Sequence, residues 1–137
     1  MRTGSGSSAT GVAPPGWPRG VRVPGEAGWG DTAAAWLFDL VPPGYRDHPV
    51  LRAFPLVLAR MARQHVAAAL AAARDGYGTA RVDLRGAVPV HAMDGVLRMY
   101  EYEGSRLAVT ERAVGLVERA PAGERRPARP RQADPTG

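Results

Sequence analysis

The sequence predicts an all-α protein: a long antiparallel helical hairpin with a short N-terminal helix packed on it, between disordered termini. Three observations carry this. Apolar residues recur at spacings of three and four along two stretches of roughly 30 residues each. Pro and Gly punctuate the chain where those stretches begin and end. The flanking segments are rich in Gly, Pro and Ser on one side and in Pro and Arg on the other.

Residues 1–30 hold too little apolar surface to offset the entropy of ordering them, so disorder is expected there. Trp17 and Trp29 depart from that polar trend. They read as linker aromatics that clip back onto the core, with short binding anchors as the alternative. The helical domain then spans 31–120. Asp31 or Thr32 is a suitable N-cap for a helix that begins Ala33-Ala34-Ala35 and runs to about Leu40, before Pro42-Pro43-Gly44. Trp36, Leu37 and Leu40 share one face of it, and Phe38 and Val41 widen that face.

Asp47 offers a second N-cap, and Pro49 fits the first turn that would follow. Pro55 breaks the helical ladder six residues later, so a short helix at 49–54 or a kink is expected. From Pro55 the stripe Leu58, Ala62, Val66, Ala69/Leu70, Ala73, Tyr77, Ala80 and Leu84 predicts one helix to about Arg85, with a soft point at 75–78 where Gly76 and Gly78 weaken it. Gly86 to Val88 forms the turn and Pro89 opens the second long helix. Its stripe is Met93, Val96, Leu97, Tyr100, Leu107, Thr110, Val114 and Val117, and it is expected to stop before Pro121. Residues 121–137 form a Pro/Arg-rich tail, again expected to be disordered.

So short a connection forces the two helices antiparallel. Centred on 87–88, the turn sets residue i opposite about residue 175−i, placing Arg74 near Glu101 and Arg63 near Glu111 and Arg112. A two-helix hairpin leaves much apolar surface wet. Trp36, Leu37, Phe38 and Leu40 are therefore expected to close its base as part of the core, with Phe54 and Leu56–Val57 as partners near the open end. The other role for these four side chains is a docking surface.

Composition narrows the chemistry. All 18 basic residues are Arg, and Lys, Asn, Ile and Cys are absent. The first three have AT-rich codons, so their absence points to a GC-rich genome rather than to selection for guanidinium. Without Cys there is no disulfide scaffold or thiolate chemistry. The net charge is +5. It resides mainly in the ends: +2 in 1–30, +2 in 121–137 and +1 in 31–120. That distribution does not describe a folded basic face for nucleic acid. No secretory h-region is visible, and VAAALAAA at 66–73 is too short to span a bilayer, so a soluble, cytoplasmic protein is expected.

Catalytic patterns are also missing. His91 and Asp94 share a helix face, but a helical metal site needs further acids and a second such motif. Glu101 and Glu103 point to different faces. Ser105 lacks a nucleophile setting, and GYG at 76–78 lacks the GK[ST] of a phosphate loop. No catalytic, metal or cofactor residue is therefore assigned.

The blocks WLFDLVPPGYR, HPVLRAFPLVLARMARQHV and AVGLVERA resemble a set of small helical proteins of streptomycete-type actinobacteria, over about residues 35–119. That resemblance implies no catalytic or binding residue. The topology alone is similar to the helical hairpins of type VII secretion, whose Trp-x-Gly turn is replaced here by RGAVP. The expected function is a non-catalytic interaction or scaffold protein that forms homo-oligomers or binds a protein partner, without a membrane. The alternative is a nucleic-acid-associated adaptor that uses Arg125, Arg126, Arg129 and Arg131.

Overall fold

The computed structural model describes the backbone of residues 12–128 and the side chains to Ala120. The chain is an all-α hairpin with a closed base. Helix α1 (Trp29–Phe38) leads through a 3-10 turn (Pro43–Asp47) to the short α2 (Pro49–Ala53). The long helices α3 (Pro55–Asp83) and α4 (Val90–Ala128) follow, 29 and 39 residues in length. These correspond to about 43 and 58 Å at 1.5 Å per residue. No strand occurs among the described residues, and no helix there is long and apolar enough to cross a membrane.

Prolines set the breaks. Pro49 and Pro55 each occupy a first turn, where an absent N–H breaks no bond. Phe54 between them is extended (φ −127°, ψ 93°), which separates α2 from α3. Gly86 turns the hairpin with φ +82°, a left-handed conformation that side chains resist.

The core lies at the base. Leu37, Phe38 and Val41 join Leu51, Leu58, Ala59 and Ala62 with Val114 and Val117 of α4 in one buried cluster. Leu58 and Val114 are fully buried, and α1 packs directly on α3. WLFDLV is thus mostly core: Leu37 and Phe38 are buried, and Trp36 and Leu40 lie half-buried against the cluster. Arg46 caps this corner, its guanidinium 5.6 Å from the Phe38 ring centre and 2.9 Å from Asp39 Oδ1.

Several expectations are corrected. Residues 12–28 form a strap of turns over the base, so the structured part extends beyond 31–120. Val21 and Val23 of the strap are buried. The Trp17 indole N–H donates to the Val21 carbonyl at 2.8 Å, and its ring sits 6.3 Å from that of Trp29. Residues 1–11 and 129–137, where disorder is also expected, lie outside the described residues.

Helix α1 starts at Trp29 after Gly28 (φ +82°), not at an Asp31 or Thr32 cap. The Thr32 hydroxyl instead accepts from the Arg22 amide at 3.0 Å and donates to the Trp29 carbonyl at 3.0 Å, tying strap to helix. His48, not Asp47, precedes α2. Helix α4 continues through Pro121 and Pro127 to Ala128, so Pro121 does not end it, although each proline removes a ladder bond. Phe54, Leu56 and Val57 are exposed, because the break before Pro55 directs them away from the cluster.

The expected register places its facing pairs together. Gly76 faces Tyr100, one residue from expectation. Arg74 and Glu101 line one groove. Arg63 does lie beside Glu111 and Arg112, but its Nε donates to Glu118 Oε1 at 2.7 Å, two turns beyond Glu111. Both partners remain partly solvated, at 41% and 23% side-chain exposure. Glu118→Gln is accordingly expected to cost only ~0–1 kcal/mol in urea unfolding. A larger loss would show that the pair is shielded from water in solution.

Candidate interaction surface

Beyond the base, from about Val66 to Leu107, only α3 and α4 face each other among the described residues. The buried side chains of this arm are Val66, Leu70, Ala73, Ala80 and Leu97, mostly small and outside the main cluster. Here α4 presents two different faces. Met93, Leu97, Tyr100, Gly104 and Leu107 turn toward α3. Roughly opposite them run Ala92, Gly95, Met99, Tyr102, Arg106 and Val109, spaced alternately by three and four and confined to an arc of about 100° at 100° per residue.

Met99 is 48% exposed, Tyr102 66% and Val109 56%. The same stripe continues down α4 to Ala113 and Leu116, and there it is covered. Ala113 is buried, and a methyl group added at Gly16 of the strap would lie 3.5 Å from Leu116 Cδ1. The protein therefore covers the lower end of one apolar stripe with its own chain and leaves the upper part open. Arg106, inside the stripe, is held by Glu103 through a bond of 2.6 Å. That hydrogen bond keeps the Glu103 carboxyl below its ordinary pKa and raises the guanidinium further.

The sequence-derived stripe on α4 found the α3-facing side and missed this second one. The signal was present in the same three-four spacing, on the opposite side of the helix. Of the other residues singled out, Trp36, Leu37, Phe38 and Leu40 belong to the base. Arg125 and Arg126 fall in the last turns of α4, where only the backbone is described, and Arg129 and Arg131 lie outside the described residues. His48 and His65 flank Tyr45, with ring centres 6.0 and 5.9 Å from it, a grouping the sequence did not reveal. His91 is exposed near the start of α4. Among the described residues no cluster of three His, Asp or Glu side chains is placed to hold a metal ion.

In comparison with known proteins, no family model matches this chain, and neither does a curated protein or a solved structure.

Proposed function

We propose that the protein is a non-catalytic scaffold that self-associates through the open stripe of α4. The observation that carries this reading is the exposure of Met99, Tyr102 and Val109 along one face of a two-helix arm. Within the chain there is little to cover them. Segments 1–11 and 129–137 are MRTGSGSSATG and RPRQADPTG, with almost no apolar side chains.

A second copy suits the stripe by its own symmetry. In an antiparallel pair of α4 helices centred near Tyr100–Glu101, Met99 meets Tyr102 of the other copy, Ala92 meets Val109, and Gly95 meets Arg106. Each layer sets a larger side chain against a smaller or more flexible one, as antiparallel helix packing requires. Methionine sulfur against an aromatic ring adds a favourable contact at the centre.

The test uses the absence of native Cys. Positions 92 and 109 are about 25 Å apart along one helix, too far for an internal disulfide. The Ala92→Cys/Val109→Cys variant is expected to oxidise to a covalent dimer, while either single variant is not. Cross-linking by the single variants would instead show a parallel pair. Sedimentation equilibrium of the native chain supplies the second reading: a dimer that Tyr102→Glu converts to monomer. A native chain that is monomeric throughout would sink the proposal.

A further inference from the structure

A different surface, at the base and bordering the covered end of the stripe at Leu116, carries an inference independent of self-association. Pro15 and Gly16 of the strap, Arg63 of α3, and Arg112, Leu116 and Arg119 of α4 enclose a groove of about 400 Å³, which Glu111 and Gly115 also line. Its lining has three guanidinium groups and one carboxylate. Arg63 uses its Nε on Glu118. Its terminal nitrogens make no hydrogen bond to the described side chains, and Arg112 and Arg119 form no ion pair among the described residues.

The two α4 arginines also stand together along the groove. Arg112 and Arg119 are two turns apart on one face of α4, with Gly115 between them. Arg119 folds back over that glycine: a methyl group at 115 would stand 3.3 Å from its Nη1. Like charges thus converge on a concave surface, offset only in part by Glu111 in the lining and by Glu118 on Arg63. This is unfavourable without an anion and favourable with one. A planar carboxylate accepts one fork, whereas tetrahedral phosphate accepts from several directions. Three guanidinium groups less the Glu111 and Glu118 carboxylates leave one net positive charge, and the forks of Arg112 and Arg119 supply the donors that a phosphate monoester takes. Leu116 and Pro15 offer apolar contact to whatever the phosphate is attached to.

We propose that this groove binds the phosphate monoester of a small organic molecule, with the dianion between Arg63, Arg112 and Arg119 and the apolar body on Leu116 and Pro15. The experiment is a solution NMR titration of the full chain with phenyl phosphate at low ionic strength, where screening is weakest. The expected result is a saturable change confined to the amides around Gly16, Arg63 and Gly115. Arg112→Gln/Arg119→Gln should weaken binding by at least about tenfold, and Glu111→Gln should tighten it about threefold. Both mutated arginines are exposed, so the fold should persist, and the Glu111 variant tests the site through a gain rather than a loss.

Three results would overturn the proposal. One is no saturable change, or equal binding by the double variant. Another is inorganic phosphate binding as tightly as phenyl phosphate, which would leave a bare anion site. The third is equally tight binding of an unphosphorylated single-stranded oligonucleotide, which would assign the groove to a phosphodiester backbone.

Discussion

Leu37→Ala is expected to destabilise the protein by about 2–5 kcal/mol, enough to lower its melting temperature by roughly 10 °C or more. Leu37 is 2% exposed and sits where α1 meets the cluster of Leu58, Ala62 and Val114. Removing it loses the transfer energy of the side chain and leaves a cavity at a junction with few alternatives for repacking. A ten-residue helix, the strap and the short α2 cover this base, so the core has little redundancy.

The neighbours supply an internal control. Trp36→Ala and Leu40→Ala remove half-buried side chains and should cost less than Leu37→Ala, while still lowering helicity. Urea unfolding followed by circular dichroism gives the comparison. If Leu37→Ala falls within about 0.5 kcal/mol of the native chain, like an ordinary surface change, then α1 is not docked in solution. WLFDLV would then be available to a partner.

The long helices and the break between α2 and α3 were legible in the sequence because their signals are local. Prolines at 49, 55 and 89, Gly86 and the three-four spacing act within a few residues. The features that were missed depend on distant chain segments. Thr32 has the chemistry of an N-cap, but the strap needs its hydroxyl for the Arg22 amide, and Trp29 is drawn into the helix beside Trp17. The strap itself is a Gly/Pro-rich stretch whose few apolar residues, Val21 and Val23, matter because the base has a place for them. Phe54 looked like core by composition, and the extended backbone before Pro55 turned it outward. Arg63 found Glu118 because its long side chain reaches past the facing position toward the base, while it still lies beside Glu111 and Arg112. The open stripe of α4 was written in the same spacing as the stripe that was recognised, on the other side of the helix.

Gly76→Ala and Gly78→Ala are expected to act in opposite directions, although the two residues are separated by one position in the same helix. On helix propensity alone, both should stabilise α3 by about 1 kcal/mol. Tertiary contacts decide otherwise at 76. A Cβ there would stand 2.5 Å from Tyr100 Cζ and 2.9 Å from Cδ1, well inside van der Waals contact. Glycine at 76 lets the Tyr100 ring lie against the α3 backbone, while Tyr77, the expected seam residue, is 43% exposed. At Gly78 an added methyl group meets nothing within 4 Å.

Overpacking at 76 should therefore outweigh the propensity gain and leave Gly76→Ala destabilised by about 1–3 kcal/mol. Gly78→Ala should gain up to about 1 kcal/mol. The double variant Gly76→Ala/Tyr100→Ala completes a thermodynamic cycle: removing the ring removes the clash, so the two substitutions should be strongly non-additive. If both glycine variants instead gain stability equally, Tyr100 does not pack across the arm in solution. The contact that sets the upper hairpin register would then have to be sought elsewhere. If the coupling is found, a glycine that looks like a weakness in the helix is the position at which α4 is locked against α3.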